Sequence, residues 1–417
     1  GGREHALAWK LAQSSFLSAL FVAPGNAGTA QVATNLKLDV DNHDAVSRAI
    51  KKHAIDLVVV GPEAPLVNGL ADHLLDCGKH PELTVIGPRK AGAQLEGSKA
   101  FAKAFMQRHN IPTASYGSFG LDELDDALTF LKNSRSPYVI KADGLAAGKG
   151  VVITEDLEEA EATVKDMLSG KAFGQAGCRV VIEQFMDGIE CSMFAVTDGS
   201  AYHLLPSAKD YKRIGDGDSG PNTGGMGAIS PVPFMDAEFH EKALNQIIIP
   251  TIKGLASDGI PYNGFLFFGL MKVGGDPYVV EYNCRLGDPE TEVIVPRIQS
   301  DLLNLFENMG AGLLSEYHLQ IDPRTCSTVM LVSNGYPGSY ETGKPIQFPT
   351  KPIADTHVFH AGTGAARGNV VTNGGRVLAC SAIDPNPENA LKKSYSLAEA
   401  IEFEGKSMRT DIGQDVI

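Results

Sequence analysis

Three stretches of the sequence place charged side chains where they could handle a nucleotide's phosphates. The sharpest runs from Val139 to Ile153: an apolar segment with Lys141, a small-residue loop (Asp143-Gly144-Leu145-Ala146-Ala147-Gly148-Lys149-Gly150), and a second apolar segment. Glycine and alanine let backbone N–H groups approach phosphate oxygens closely, with Lys149 as a mobile cation and Lys141 fixed in a strand. This is not a P-loop. Three residues rather than four separate Gly144 from Gly148, Gly150 replaces the Ser/Thr, and a β run follows instead of a helix. The competing reading is an ordinary glycine-rich hairpin. The second stretch is Val279-Val280-Glu281-Tyr282-Asn283-Cys284-Arg285, where strand alternation puts Glu281 and Asn283 on one face. A carboxylate and an amide oxygen side by side are hard donors suited to Mg²⁺, which takes phosphate oxygens and water for the rest of its shell. Mn²⁺ is the alternative ion, and Arg285 continues the row as an anion holder. Taken singly, a Glu at a strand end is more often a solvated surface residue. In the third stretch, a strand ends at Glu183-Gln184-Phe185 and restarts after Gly188, leaving backbone groups to pair with an adenine edge and Glu190 to accept from ribose hydroxyls. A bare β-hairpin fits that stretch equally well.

The elements that must position these groups are readable in outline. Short β-rich runs at Leu20–Ala23, Leu57–Val60 and Thr84–Ile86 alternate with amphipathic segments, which predicts a parallel sheet covered by helices. Their loops (Pro24-Gly25-Asn26, Gly61-Pro62-Glu63, Gly87-Pro88) converge on one edge, where open α/β sheets bind ligands. A helix is expected over Ser98–His109, with Phe101, Ala102, Phe105 and Met106 apolar. From Pro137 to Ala195 four strand-like runs separated by glycine turns suggest a small lid of hairpins around one helix, expected to close over nucleotide. Asp210 to Gly227 is too rich in glycine for regular structure and reads as a functional loop. Strands at Phe265–Met271 and Tyr278–Tyr282 precede a helical region over Val293–Leu314. A last α/β portion has strands near Val329–Val332, Val358–Phe359 and Val377–Ala379 and a helix near Glu388–Ala400.

Composition narrows the class. The 417 residues suggest two to four compact units. Fifty acidic against 36 basic residues give a formal charge of −14, which argues against a nucleic-acid partner. Six dispersed cysteines with no C-x-x-C pair predict reduced thiols in the cytoplasm. No apolar run reaches the roughly 18 residues of a membrane span.

Read together, the strings resemble the ATP-grasp superfamily and, within it, the phosphoribosylamine–glycine ligase family. They are Gly1-Gly2-Arg3-Glu4-His5-Ala6-Leu7-Ala8-Trp9, Pro24-Gly25-Asn26-Ala27-Gly28-Thr29, Gly61-Pro62-Glu63-Ala64-Pro65-Leu66, Gly97-Ser98-Lys99-Ala100-Phe101, Lys141 to Gly150, Gly220 to Gly227 and Asn283 to Thr291. The resemblance implies an α/β and α+β multidomain architecture. Residues 1–98 form a Rossmann-like substrate domain, 99–320 an ATP-grasp domain with a mobile lid over about 115–190, and 321–417 a C-terminal α/β domain. Many relatives place a β-strand ahead of the Gly1-Gly2 string, so the first strand of that sheet is expected to be missing here.

The implied reaction uses ATP as substrate to join glycine to 5-phosphoribosylamine through a glycyl phosphate. The implied partners are small molecules only, with no nucleic acid and no membrane, and the chain is a monomer or weak dimer. Lys99 and Lys141 match the paired lysines on ATP phosphates, and Ala147, Gly148, Lys149 and Gly150 the loop closing over them. Glu183, Gln184 and Phe185 match the adenine hinge, with Glu190 on the ribose. Glu281 and Asn283 match the Mg²⁺ ligands. Asp210, Lys212, Arg285, Gly287, Asp288 and Glu290 line the substrate side, with Arg285, Lys141 and Asp210 expected to act in catalysis. Arg3, His5, Asn26, Glu63 and Pro65 would hold the phosphoribosyl group. Tyr211 stands where many relatives have His, and Leu286 where Phe or Met is common. Two other readings remain: a biotin carboxylase-like enzyme acting on bicarbonate, and a non-catalytic Rossmann-type binder. The second lacks the G-x-G-x-x-G that such a site requires.

Overall fold

The structure, a computed structural model, describes residues 1–145, 150–170 and 179–417. Helix Lys99–Arg108 forms where expected. Ser98 caps it by accepting from the Phe101 N–H at 3.1 Å, and Ala102, Phe105 and Met106 are buried at helical spacing. Its buried face also takes Lys103, which the apolar pattern does not announce.

The lid is a four-stranded antiparallel sheet in the spatial order Tyr116–Gly120, Arg179–Gln184, Tyr138–Ala142, Val151–Thr154. The expected helix is Leu157–Leu168, and a second, Leu124–Asn133, which precedes the 137–195 span, also packs against the sheet. Ala127, Leu131, Ile140, Ala142, Val164 and Val180 form a core of its own, the condition for moving as a unit. The expected lid strand at Ser192–Ala195 lies elsewhere. It is part of strand Ile189–Thr197, buried over nearly its whole length in the interior of the large sheet.

That large sheet has nine strands, eight of them in the order Asp276–Asn283, Gly264–Val273, Ile189–Thr197, Tyr202–Asp210, Gly227–Ser230, Thr325–Ser333, Arg376–Asp384, Thr356–His360. The ninth, Lys406–Ser407, also pairs with Thr325–Ser333. The sheet runs unbroken past residue 320, because Gly227–Ser230 pairs antiparallel with Thr325–Ser333. The 210–227 stretch is not structureless. It holds the hairpin Arg213–Gly215/Ser219–Asn222, whose turn carries positive φ at Gly217 and Asp218, a conformation those two residue types accept. The N-terminal strands form two separate parallel ladders, Phe21–Val22 with Thr34–Asn35 and Leu57–Val59 with Thr84–Ile86, rather than one sheet. No helix among the described residues is long and apolar enough to cross a membrane.

The first helix, Gly2–Leu11, docks on the 356–360 strand through two histidines. His5 Nδ1 accepts from the His360 N–H at 2.8 Å, and their rings stack edge to face. Burial, with His360 alongside, pushes His5 down to about 3, and burial pushes His360 down to about 4. Both are therefore neutral in the fold, whereas an unfolded histidine titrates near 6.5. Between pH 6.5 and about 4 the unfolded chain binds protons that the native chain refuses. Stability must fall with pH across that window, by about 1.4 kcal/mol per unit for each histidine. Urea midpoints measured from pH 7 to pH 5 should fall less steeply in His360→Asn than in the wild type. Parallel slopes would contradict this account.

Candidate active site

The lid meets the large sheet through lysine. Lys141, on the lid strand Tyr138–Ala142, donates from Nζ to the Val280 carbonyl at 3.2 Å and pairs with Glu183 Oε1 at 3.0 Å. Glu183 also binds Lys103 Nζ at 3.1 Å, and Lys103 donates to Thr113 Oγ1 at 2.7 Å. The three charged side chains are almost wholly buried. Lys99 opens its helix beside them and donates to the Gly144 carbonyl at 3.1 Å. Asp143 fixes that helix end to the hairpin stem, accepting from Ser98 Oγ and from the Ala100 N–H at 3.0 Å. Burial lowers the Lys99 pKa, against the opposing pull of Glu281 and Asp143. Gly150 closes the stem, its carbonyl accepting from the Ala142 N–H. Ala147, Gly148 and Lys149 lie outside the described residues.

Strand Asp276–Asn283 presents the acidic pair. Glu281 and Asn283 share a face, while Tyr282 points to the opposite core and hydrogen-bonds Thr251 at 2.9 Å. Gly269 stands opposite Glu281, and a Cβ there would sit 3.0 Å from the Glu281 Cγ. Burial alone would raise Glu281, but Lys212, Lys141, Lys99 and Arg285 together hold it below the usual carboxylate range. It makes no ion pair with any of them among the described residues, so an ionised carboxylate remains available. No cluster of three His, Cys, Asp or Glu with metal-binding geometry occurs among the described residues. A carboxylate and an amide with room for phosphate oxygens and water suit Mg²⁺.

Beyond Asn283 the chain turns into a second group of charged side chains, those expected to face the substrates. Arg285 is clamped by Glu96 Oε1 at 2.6 Å and Glu63 Oε2 at 3.2 Å, and Glu96 also accepts the Cys284 N–H at 2.8 Å. Asp210 ends strand Tyr202–Asp210, three places along the sheet from Asp276–Asn283, and Lys212 lies just beyond it in contact with Glu190. Burial raises Asp210, and burial together with Asp210 pushes Glu290 up to about 8. Glu290 fills the space beside Gly287, where a Cβ would collide with its carboxylate. Asp288 caps the first helix at the Arg3 N–H (3.2 Å) and faces Arg376 at 3.0 Å. Arg376 in turn ties the Asp288 and Gly224 carbonyls together, each at 2.6 Å. Arg3 donates to the Leu286 carbonyl at 3.1 Å.

The structure thus brings together Lys99, Lys141, Glu183, Glu190, Asp210, Lys212, Glu281, Asn283, Arg285, Gly287, Asp288, Glu290, Arg3 and Glu63. Gln184 and Phe185 sit exposed at the lid exit, Gln184 tied to Ser115. Glu190 meets Lys212, so the residues expected at the ribose and at the substrates are neighbours. Pro65 is buried in the short helix Glu63–Val67. His5 and Asn26 are buried and bonded to the 360–361 backbone, with Asn26 Nδ2 2.6 Å from the His360 carbonyl. Sequence reasoning missed Lys103, Glu96 and Arg376. Glu96 stood one residue before the Gly97-Ser98-Lys99 string and Arg376 just after Gly374-Gly375, while nothing local marked Lys103.

Models of phosphoribosylglycinamide synthetase match most of the chain: the N domain at residues 1–96, the ATP-grasp (A) domain at 97–291 and the C domain at 326–415. The phosphoribosylamine–glycine ligase of Vibrio parahaemolyticus is 47% identical over 421 aligned residues, covering 100% of this chain and 97% of its own. That of Pseudomonas aeruginosa is 49% identical, covering 100% and 96%. The crystal structure of the Thermotoga maritima phosphoribosylamine–glycine ligase superposes with a TM-score of 0.84 at 38% identity, over 99% of this chain and 97% of that one. A biotin carboxylase domain from Hydrogenobacter thermophilus shares the fold at a TM-score of 0.74 and 15% identity, over 97% and 89%. On residues, architecture and likeness, the chain belongs to the phosphoribosylamine–glycine ligase family of ATP-grasp enzymes.

Proposed function

We propose that the cleft between the lid and the Asp276–Asn283 strand carries the family's reaction, the ATP-dependent joining of glycine to 5-phosphoribosylamine that gives glycinamide ribonucleotide, ADP and phosphate in purine synthesis. The observation that carries this placement is the Lys141 bond to the Val280 carbonyl, which sets the phosphate-holding hairpin stem one residue from Glu281. Lys99 and Lys141 hold the phosphates, the Glu183–Phe185 segment receives the adenine and Glu190 the ribose. Glu281 and Asn283 would hold Mg²⁺, or Mn²⁺ in its place, which would supply charge neutralisation at the transferred phosphoryl group. A glycine carboxylate oxygen attacks the γ-phosphorus, the bond to ADP breaks, and the carboxylate becomes an acyl phosphate. Arg285, fixed between Glu63 and Glu96, faces the growing negative charge. The phosphoribosylamine nitrogen then attacks the glycyl carbon and phosphate leaves. The Asp210/Glu290 pair, held at raised affinity for a proton, takes the one released by the amine. The loops at Arg3, Asn26, Glu63 and Pro65 form the phosphoribosyl side, with His5 supporting them from behind.

Purified protein should release phosphate from ATP only when glycine and phosphoribosylamine are both present. Equal turnover with both omitted, or turnover on bicarbonate instead, would remove this assignment. Glu281→Gln keeps the shape but loses the charge. It should raise the Mg²⁺ concentration for half-maximal rate about tenfold, equivalent to ~1.4 kcal/mol of metal binding. An unchanged rate at limiting Mg²⁺ would deny Glu281 a ligand role.

A further inference from the structure

The two residues flanking Asp210 point away from the cleft, and both end on one carboxylate far along the chain. Lys209 Nζ donates to Asp415 Oδ2 at 2.8 Å, and the Tyr211 hydroxyl donates to Asp415 Oδ1 at 2.5 Å. The Lys209 ammonium also lies 3.8 Å from the centre of the Tyr211 ring, whose side chain is buried. The strand ends at Asp210, but Tyr211 keeps its pairing, donating its N–H to the Gly227 carbonyl at 3.0 Å and accepting from the Met226 N–H at 2.7 Å, so fixing 209 and 211 on one face fixes Asp210 on the other and sets how the chain leaves toward Lys212.

The same 409–415 segment grips the next turn of chain. Arg409, nearly inaccessible, donates to the Arg213 carbonyl at 3.2 Å and to Asp218 at 2.7 Å, and it is held by Asp411 at 2.7 Å. Asp411 accepts from the Gly217 N–H at 2.8 Å, and the Thr410 N–H donates to Asp216 at 2.8 Å. The segment is anchored in turn, since the Ile412 N–H donates to the Tyr395 hydroxyl at 2.9 Å and the Ile412 side chain is fully buried.

We propose that segment 409–415 is a clamp on the substrate edge of the cleft, and that Asp415, through Tyr211 and Lys209, is a positioning residue for Asp210 and Lys212. The clamp rests on the reading that those two residues face the glycine and amine substrates. Asp415 itself is half exposed, so its ion pair adds little to global stability. Its bond from the buried Tyr211 hydroxyl is charge-assisted and directional. The clamp therefore acts on local geometry.

The test uses the full chain. Asp415→Ala should raise KM for glycine about fivefold, less than the loss of one whole charge-assisted hydrogen bond because Asp415 acts through its neighbours, while KM for ATP and the thermal midpoint stay at wild-type values. Asp415→Glu should recover most of the loss, and Tyr211→Phe, which keeps the ring and drops the hydroxyl, should show a smaller shift in the same direction. Lys212→Ala is measured beside them. If Lys212→Ala raises KM for glycine and Asp415→Ala leaves it within twofold of wild type, the clamp is wrong and the substrate reading stands. If Lys212→Ala leaves glycine binding untouched, the substrate reading fails and takes the clamp with it. If Asp415→Ala changes both KM values and the thermal midpoint together, its role is structural support only, which also overturns the proposal.

Discussion

Lys141→Met should lower kcat by roughly 10²–10³, the usual cost of deleting one preorganised group that stabilises transition-state charge. The side chain is buried on the strand that forms the lid's hairpin stem, so its cation is aimed before substrate arrives. Methionine preserves length and packing while removing charge. KM for ATP should rise far less than kcat falls, because the proposed second phosphate ligand, Lys99, and the proposed adenine hinge are untouched. Arginine should not rescue. The slot between Glu183 and the Val280 carbonyl is built for a single ammonium, and a planar fork needs wider access. Steady-state kinetics on protein with an unchanged circular dichroism spectrum is the measurement, and a kcat within threefold of wild type would remove Lys141 from the phosphoryl-transfer step.

Residues whose role depends on a short local pattern could be read from sequence. Glu281 and Asn283 alternate on a strand, and Phe101, Ala102, Phe105 and Met106 line the apolar side of the helix over Ser98–His109. Each of these is written within a few neighbouring residues. What escaped depends on partners far apart in the chain. The run Ser192–Ala195 reads as a lid strand because it follows the lid strands directly, yet it belongs to strand Ile189–Thr197, whose pairing with Gly264–Val273 is set some 70 residues later. The 213–222 hairpin was hidden because glycine content signals a loop, while the positive φ at Gly217 and Asp218 is what lets the chain reverse. Glu183 was expected to matter through its backbone, but its side chain proves to be the counter-charge for two lysines from different elements. Arg285 looked like a free anion holder, although Glu63 and Glu96 already fix its orientation.

The Lys103–Glu183–Lys141 cluster gives the largest expected effect on stability. Glu183→Gln removes the only carboxylate paired with either lysine among the described residues, leaving two ammonium groups in a site that excludes water. Breaking a buried pair from one side costs about 3–5 kcal/mol, because the remaining charge loses its compensation. Chemical denaturation of Glu183→Gln should show that loss, and the double variant with Lys103→Met should recover part of it, since one uncompensated charge disappears. A double-mutant cycle with no coupling between positions 103 and 183 would contradict the geometry.

Lys103 adds a pH signature. Burial outweighs the pull of Glu183 and lowers its pKa to about 8, against 10.5 in an open chain. Between pH 8 and 10.5 the unfolded chain keeps a proton that folded Lys103 has released, so this group makes stability rise with pH across that interval, by up to about 3 kcal/mol. Lys103→Met removes the rise. The stability difference between wild type and variant should therefore shift toward the wild type from pH 8 to pH 10, and a difference that stays constant would mean that Lys103 titrates alike in both states.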